Sequence, residues 1–362
     1  MDIGQIKLLL QEIQDPISGQ SVVQAGLIEK IEILDDKIVN VSVGITPNRN
    51  AYKGNFMMEC TSKIKTNFPE SEVNIHFIAN AAPQTAPDNL PQVRNIIAVG
   101  SGKGGVGKST VSVNIAIALK QIGARVGILD ADVYGPSIPT MLGLVGHKPK
   151  LKDIMGKPKM VPIDYNGIQT MSIGYIIEPE QAVVLRGPRL AGVIKQFIQE
   201  CIWEELDYLI IDLPPGTGDV HLTLVQTLPV TGAVIVTTPQ QVALSDAIKA
   251  ANMFQLSNVE VPILGIVENM SWFTPEELPD NKYFLFGEGG GKKLAHQFNT
   301  LLLGQIPLIQ GIREGGDNGA PMANELNSVA AKYYLDVAKN LMRQVAIRNE
   351  MLAPTKVVSM KS

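Results

Sequence analysis

Residues 95–110 read NIIAVGSGKGGVGKST, an apolar run that leads directly into a glycine-rich loop. From Gly102 to Ser109 the loop satisfies the pattern G-x-x-x-x-G-K-S/T, which is typical of a phosphate-binding loop between a strand and a helix. Glycines allow backbone N–H groups to point at phosphate oxygens, and the positive end of the following helix faces the same anion. A plain glycine-rich turn is the alternative, but apolar residues at helical spacing after the loop favour a nucleotide site.

Individual residues of this loop are predicted to have separate roles. Lys108 is expected to contact the β- and γ-phosphates of ATP, and Ser109 is expected to bind Mg²⁺ through its hydroxyl. Lys108 is also predicted to act in catalysis, and Lys103 is a second lysine at the start of the loop. A solvated lysine beside an anion site is the alternative for Lys103. The predicted nucleotide-binding residues of the loop are Gly102, Lys103, Gly104, Gly105, Val106, Gly107, Lys108, Ser109 and Thr110.

Carboxylates follow two further apolar runs. A parallel sheet binds its ligands at the carboxyl ends of its strands, which is where these carboxylates would lie. Asp130 and Asp132 end the run RVGILDAD, and Asp212 ends the run DYLIID. We expect Asp132 to orient the attacking water in catalysis, and Asp130 and Asp212 to belong to the shell of the metal, Mg²⁺. Helix capping is the alternative for Asp130 and Asp132. The loop PPGTGD at 214–219 is predicted to sense the γ-phosphate, or else to be a turn without that role.

A side-chain amide ends another apolar run, VPILGIVENM at 261–270. An amide offers both a donor and an acceptor, so Asn269 is predicted to bind the edge of the adenine ring. A turn asparagine at the end of a strand is the alternative.

The order of the apolar runs predicts the fold class. The runs NIIAVG, RVGILD, DYLIID, AVIVTT and VPILGIV alternate with helical segments, as in a parallel sheet that is buried on both faces. The prediction is an α/β P-loop NTPase domain with a doubly wound, mostly parallel sheet over residues 93–345, followed by a tail at 346–362. Residues 1–78 predict a preceding small α+β domain, and the proline-containing segment 79–92 predicts a linker.

Bulk composition narrows the class of protein. The chain has 362 residues, 45% of them hydrophobic, and a formal net charge of −4, which gives no electrostatic argument for a nucleic-acid partner. No apolar stretch reaches the roughly 18 residues of a membrane span, and the acidic N-terminus lacks the apolar core of a signal peptide. We therefore expect a cytoplasmic protein without a membrane partner. The two cysteines, Cys60 and Cys201, are expected to be buried thiols rather than a disulfide.

The motifs resemble those of the Mrp/ApbC family of iron–sulfur cluster carrier ATPases over nearly the whole chain. They are GSGKGGVGKST, LDADVYGPSIPTMLG, LRGPRL, DYLIIDLPPGTGDVHLTLVQ, TGAVIVTTPQQVALSDA, GIVENMSWF, FGEGGG and IREGGDNG, and they stand in the order of the family. The two lysines of K-G-G-x-G-K-S/T mark the deviant Walker A class, to which MinD, ParA and the nitrogenase iron protein also belong. The N-terminal DPISGQSVVQAGLIEKIEI resembles the small domain that precedes the ATPase in bacterial Mrp proteins.

The resemblance implies several properties together. It implies a homodimer that binds ATP, hydrolyses it slowly and passes a 4Fe–4S cluster to apo iron–sulfur proteins, or receives it from a cluster scaffold. It also implies that Lys103 reaches the nucleotide of the partner subunit and acts there as a catalytic residue.

One departure from the family pattern concerns the cluster. The family carries Cys-x-x-Cys after the ENMS motif, whereas this chain continues with SWFTPEELP at 271–279 and has no cysteine there. Because iron–sulfur clusters bind to thiolates, we predict that the purified protein alone binds a 4Fe–4S cluster weakly or not at all. Trp272, Phe273 and Pro275 in the replacing segment are expected either to dock a client or to pack against their own domain.

Three interpretations of the function remain open at this point. The first is a cluster carrier or assembly factor whose cluster is held by a partner or by atypical ligands. The second is a MinD/ParA-like ATP-dependent dimerisation switch that acts on a protein partner. The third is a nucleotide-binding protein that hydrolyses ATP poorly.

Overall fold

A computed structural model describes residues 2–14, 21–24, 27–34, 37–45, 53–79, 90, 92–154, 156–176, 192, 196–198, 200–256, 259–275, 277–278, 280–353 and 355. The chain divides into two compact units, Met1–Gln84 with Asn349–Met351 and Thr85–Arg348 with Leu352–Ser362. Most of the linker predicted at 79–92 lies outside the described residues. Among the helices that the structure does describe, none has the length and apolarity needed to cross a membrane.

The described residues of the first unit form a three-stranded sheet and two helices. Strands β1 (Ile28–Leu34) and β2 (Ile38–Ile45) pair antiparallel, and β3 (Glu72–Ala79) pairs with β2 in parallel. The helices are α1 (Ile3–Leu10), whose N-terminus is capped by the Asp2 carboxylate, and α2 (Lys53–Asn67). Apolar side chains from these elements form one core, which includes Ile6, Leu10, Ile13, Val39, Val41, Val43, Cys60 and Ile64.

The second unit is built around an eight-stranded sheet. Its strands are β4 (Val93–Gly100), β5 (Val126–Asp130), β8 (Ile163–Tyr165), β9 (Ile168–Ser172), β10 (Leu206–Asp212), β11 (Gly232–Thr237), β12 (Ile263–Phe273) and β13 (Leu302–Leu308). They lie in the order β13–β12–β11–β4–β10–β5–β9–β8. All neighbours are parallel except the edge strand β8, which runs antiparallel to β9. Strands β6 (Lys150–Ile154) and β7 (Lys157–Val161) form a separate antiparallel hairpin.

Burial on both faces explains why the central strands are apolar throughout. In β4, Ile96 and Ala98 belong to one buried cluster, while Ile97 and Val99 belong to another. Since successive side chains of a strand point to opposite faces, each face of the sheet has its own core. This arrangement confirms the predicted α/β class with a mostly parallel sheet. The helices of this unit are α3 (Lys108–Gln121), α4 (Ile138–Met141), α5 (Asp219–Thr227), α6 (Gln241–Phe254), α7 (Gly290–Gln297), α8 (Gln310–Asp317) and α9 (Val329–Met351).

The structure adds three strands to the sheet predicted from the sequence. Strand β8 has only three residues, and β9 carries a glutamine and a threonine among its apolar positions. Strand β13 contains Gly304, Gln305 and Pro307, which interrupt its apolar pattern. Gly304 is required there because a Cβ would lie 2.5 Å from Val337 of α9. Helix α9 continues to Met351 and so crosses the domain limit predicted at residue 345.

Candidate nucleotide-binding site

The phosphate-binding loop joins β4 to α3 at the carboxyl end of the sheet. Gly105 and Gly107 both have φ of 81°, in the left-handed region that favours glycine. Gly102 is required for a different reason, because a Cβ there would lie 2.0 Å from the backbone of Asp246 in α6. The backbone of the loop is therefore fixed by local conformation and by close packing against a neighbouring helix.

A buried ion pair lies between this loop and the end of β10. The Lys108 Nζ is 2.7 Å from the Asp212 Oδ2, and the two side chains are 6% and 0% exposed. The Ser109 hydroxyl donates to the same oxygen at 2.5 Å. Because β4 and β10 are parallel neighbours, their carboxyl ends bring the loop and Asp212 together.

Ser112, which was not among the predicted site residues, also contacts Asp212. Its hydroxyl lies 2.6 Å from the Asp212 Oδ1 and is 3.1 Å from the carbonyl oxygen of Lys108. A signal was present in the sequence, since Ser112 is a small polar residue between two valines, one helical turn after Lys108. Three residues of helix α3, Lys108, Ser109 and Ser112, thus donate hydrogen bonds to the Asp212 carboxylate.

Asp132 and Asp130 have different surroundings. The Asp132 Oδ2 lies 3.9 Å from the Lys108 Nζ, so Asp132 faces the same ammonium as Asp212. Burial raises the pKa of Asp132 above its usual range, and the charge of Lys108 partly offsets that effect. Asp130 is 1% exposed, and burial together with the nearby Asp212 raises its pKa.

The Asp130 carboxylate accepts hydrogen bonds from its own loop and from β9. Its Oδ1 accepts from the backbone N–H of Asp132 at 3.1 Å, and its Oδ2 accepts from the Ser172 hydroxyl at 2.9 Å and the backbone N–H of Ile138 at 3.4 Å. Both oxygens therefore bind protein groups that set the conformation of residues 131–138. These contacts fix the position of Asp132, and the predicted role of Asp130 in the metal shell remains a prediction.

The start of the phosphate loop touches the segment after β10. The backbone N–H of Gly216 donates to the carbonyl oxygen of Ser101 at 2.9 Å, and a Cβ on Gly104 would lie 4.0 Å from Pro215. Lys103 is half-buried, and its ammonium forms no ion pair with the residues that the structure describes. In the remainder of the loop, Val106 is buried in the core and Thr110 lies half-buried in the first turn of α3.

A buried imidazole lies in the first turn of α5, directly after this segment. His221 is 1% exposed, and its ring packs edge-on against Phe254 at 6.3 Å between centroids. Burial lowers the pKa of His221 to about 4, so the ring is neutral at physiological pH.

Asn269 lies beside the phosphate loop in this structure. It is 6% exposed, and its Nδ2 donates to the carbonyl oxygen of Val106 at 2.9 Å. The next residue, Met270, has φ of 55°. A Cβ on Gly107 would lie 2.2 Å from the same Nδ2. Asn269 therefore braces the backbone of the loop, and its predicted contact with adenine remains a prediction.

Asn269→Ala is expected to weaken the binding of ATP and GTP by the same factor of several-fold. The substitution removes one buried hydrogen bond, worth about 1 kcal/mol, from the loop that holds the phosphates of either nucleotide. Asn340→Ala is the matched control, because the Asn340 amide donates to the carbonyl oxygen of Leu303 at 2.8 Å, away from the loop. Nucleotide titrations and urea unfolding measure both effects. If Asn269→Ala weakens ATP binding but leaves GTP binding unchanged, Asn269 reads the base.

Both cysteines are buried thiols, as expected. Cys60 lies in α2 of the first unit and Cys201 lies before β10 in the second, with exposed fractions of 0% and 6%. Burial raises the pKa of each thiol to about 12. Among the described residues no group of three or more Cys, His, Asp or Glu is arranged to hold a metal ion.

The segment that replaces Cys-x-x-Cys packs against its own domain at Trp272. The Trp272 ring is 8% exposed and lies edge-on to Tyr333 of α9, with 5.9 Å between centroids. The Lys282 Nζ lies 4.1 Å from the centre of the same ring. Phe273 exchanges two backbone hydrogen bonds with Tyr283, at 2.9 and 2.8 Å. For Trp272 the structure supports packing rather than docking.

A glycine-rich loop between a parallel strand and a helix, with a lysine and two hydroxyls gathered on a buried aspartate, defines a P-loop nucleotide-binding protein. Residues 92–342 match the family model described as NUBPL iron-transfer P-loop NTPase, and residues 4–76 match that of an iron–sulfur cluster assembly protein. The chain belongs to the NUBPL iron-transfer P-loop NTPase family.

Individual relatives agree with this assignment. An iron–sulfur cluster carrier protein of Synechocystis sp. is 45% identical over 94% of this chain and 96% of the relative. One from Escherichia coli K12 is 49% identical over 76% of this chain and 74% of the relative. Among solved structures, a nucleotide-binding protein of Archaeoglobus fulgidus in complex with ADP is 39% identical, with a TM-score of 0.55 over 63% of this chain and 88% of that one. The cell division ATPase MinD of Pyrococcus furiosus, at 23% identity and a TM-score of 0.50, shares the fold.

Proposed function

We propose that this chain is an ATP-hydrolysing iron–sulfur cluster carrier or assembly protein, which works as a cytoplasmic homodimer and delivers clusters to apo-proteins. The observation that carries the proposal is the family match over residues 92–342. It is supported by relatives that are iron–sulfur cluster carrier proteins and that align with this chain over most of their length. The geometry around Asp212 supports the nucleotide-dependent part of the proposal.

The residues around Asp212 fit a magnesium–ATP complex. Asp212 and Ser109 offer carboxylate and hydroxyl oxygens, which are the ligands that Mg²⁺ prefers. The single Lys108 ammonium faces two carboxyl groups, Asp212 at 2.7 Å and Asp132 at 3.9 Å, so the site favours added positive charge. When bound, Mg²⁺ would neutralise charge on the phosphates.

Lys108 changes partner in the proposed cycle. Without nucleotide its ammonium is bound to Asp212, and with ATP it binds the β- and γ-phosphates instead. The hydrogen bond from Ser112 to the Asp212 Oδ1 keeps the carboxylate oriented after Lys108 has moved. Asp132, whose pKa is raised, accepts a proton from the attacking water, and Lys103 of each subunit stabilises charge at the other subunit's site.

The iron–sulfur cluster is the cargo in this proposal. Cys60 and Cys201 do not fit as its ligands, because both thiols are buried and their pKa values are raised. A thiolate is the form that binds iron, and burial disfavours it. We therefore propose that a client or a scaffold supplies the thiolates, while this chain supplies nucleotide-dependent closure.

Anaerobic reconstitution with iron and sulfide is expected to load little or no 4Fe–4S cluster on the purified protein. The reason is the lack of accessible thiolates described above. The matched variant is Cys60→Ser with Cys201→Ser, which should give the same iron content and absorption spectrum as the wild type. A near-stoichiometric cluster in the wild type that disappears in the double variant would make these two cysteines the ligands.

A dimerisation switch without cargo is the second candidate, and the missing Cys-x-x-Cys favours it. The two candidates differ in one measurement, the transfer of a cluster from a loaded scaffold to an apo-protein. A carrier or assembly factor accelerates that transfer when ATP is present. A switch without cargo binds its partner in the presence of ATP and leaves the transfer rate unchanged.

A further inference from the structure

The hairpin of β6 and β7 carries four lysines on one face. In its register Lys152 lies opposite Lys159, Ile154 opposite Lys157, and Lys150 opposite Val161. Directly opposed residues point to the same side of a hairpin, and so do alternate residues of one strand. Lys150, Lys152, Lys157 and Lys159 therefore share one face, which we call the lysine face.

Met160, on the opposite face of the hairpin, attaches the hairpin to the domain. Met160 on that face is 9% exposed and belongs to a core cluster with Trp203 and Cys201. The backbone N–H of Ile202 donates to the Met160 carbonyl oxygen at 2.8 Å. Asp153, the acidic residue of the hairpin, also lies on this face and accepts from the backbone N–H of Gly156 at 2.8 Å. The lysine face consequently points away from the core.

Three lysines of the lysine face, Lys150, Lys152 and Lys157, are exposed and lack ion pairs with the described residues. All five residues of β6 are exposed, as is Lys157. Lys150, Lys152 and Lys157 form no ion pair with any residue in the described part of the chain. Opposed like charges, as in the Lys152–Lys159 pair, destabilise a hairpin. The chain as a whole has a net charge of −4, so this cluster departs from the average surface.

Protection of a sheet edge explains only part of this pattern. Lysines on an exposed edge strand prevent it from pairing with another chain, and β6 is such an edge. However, Lys157 and Lys159 lie on β7, which pairs with β6 on one side and forms a bridge from Met160 to Cys201 on the other. Edge protection therefore applies most directly to Lys150 and Lys152.

We propose that the lysine face docks an acidic segment of a protein partner. Carboxylates at every second residue of an extended segment would share one face and match the spacing of Lys150 and Lys152, which is about 7 Å along the strand. A hairpin of five residues a strand offers much less area than the roughly 800 Å² per partner of a stable complex. The contact is therefore transient and salt-sensitive, and it raises the rate of encounter.

The surrounding charge favours a protein segment over larger polyanions. Nucleic acids and anionic membranes extend far beyond the hairpin and so also meet the net negative remainder of the chain. An extended segment is only one strand wide. It interacts mainly with the lysines, because charges farther away than about 8 Å are largely screened at physiological salt. The inference rests on the proposed function only in taking the partner to be a client or scaffold protein.

The test is a binding titration on the full-length protein with a short fluorescent peptide in which Glu alternates with Thr. The triple variant Lys150→Glu, Lys152→Glu and Lys157→Glu should bind the peptide at least about tenfold more weakly than the wild type. The matched control reverses three exposed helical lysines, Lys120, Lys332 and Lys339, to Glu, which gives the same net charge. The control should bind within about twofold of the wild type, because exposed charges act within a screening length.

ATP hydrolysis of both variants should equal that of the wild type, which separates this test from the test of the proposed function. Oligothymidylate and phosphatidylglycerol vesicles serve as competing probes. Equal losses in the two variants would overturn the proposal, because binding would then follow net charge rather than the hairpin. Tighter binding of the wild type to oligothymidylate or to vesicles than to the peptide would overturn it as well.

Discussion

Lys108→Ala is expected to abolish ATP hydrolysis and to weaken ATP binding by roughly tenfold to a hundredfold. The lost contact is charge-assisted, and such hydrogen bonds are worth about 1.5–3 kcal/mol. Hydrolysis suffers more than binding, because the charge on the transferred phosphoryl group grows in the transition state. Nucleotide titration and phosphate release measure the two effects separately.

The same substitution should also lower the stability of the protein without nucleotide. Removing Lys108 leaves the Asp212 carboxylate, which is 0% exposed, without its cation. Breaking one side of a buried pair costs about 3 kcal/mol, at the lower end of the usual range because Ser109 and Ser112 still donate to Asp212. Urea unfolding measures this change.

Lys120→Ala is the matched control for both effects, since Lys120 is an exposed lysine in the last turn of the same helix. It should bind and hydrolyse ATP like the wild type and unfold at nearly the same urea concentration. Normal ATP binding and turnover by Lys108→Ala would mean that residues 102–109 are not the phosphate site.

The central strands of the sheet could be predicted from the sequence, because they are continuous apolar runs. Strand β4, for example, contributes alternate residues to two cores, so every position from Ile96 to Val99 must be apolar. Strand β13 was not predicted, because Gly304 and Pro307 interrupt its apolar pattern. Gly304 is needed for close packing against Val337, and nothing in the sequence near Gly304 indicates that long-range contact. Local sequence thus specified the central strands, whereas packing between distant elements specified the edge.

The candidate site shows the same division. Lys108, Ser109 and Asp212 could be found because spacing and strand order alone bring them to one edge of the sheet. The hydrogen bond from Asn269 to the carbonyl oxygen of Val106 could not be predicted, because it joins strand β12 to the phosphate loop, and the two residues are 163 positions apart in the chain. The hydrogen bond from Ser172 to Asp130 likewise depends on the pairing of β5 with β9, a strand that was not predicted from the sequence.

Lys103→Ala is expected to keep ATP affinity within a few-fold while hydrolysis falls by about a hundredfold or more. Lys103 forms no ion pair with the described residues of its own chain, and the proposed dimer places its ammonium at the partner subunit's nucleotide. Binding within one subunit then depends on Lys108, whereas the transition state needs the second cation as well.

Mixing Lys103→Ala chains with Asp132→Asn chains tests whether the lysine acts on the other subunit. In a mixed dimer, the site on the Lys103→Ala chain has its own Asp132 and receives Lys103 from its partner, so one complete site forms. Random exchange makes half of the dimers mixed, each with one of two sites complete, and should recover about one quarter of the wild-type rate. The control replaces the second chain with one that carries both substitutions, and it should recover nothing. If the first mixture also stays inactive although mixed dimers form, Lys103 acts on the nucleotide of its own chain.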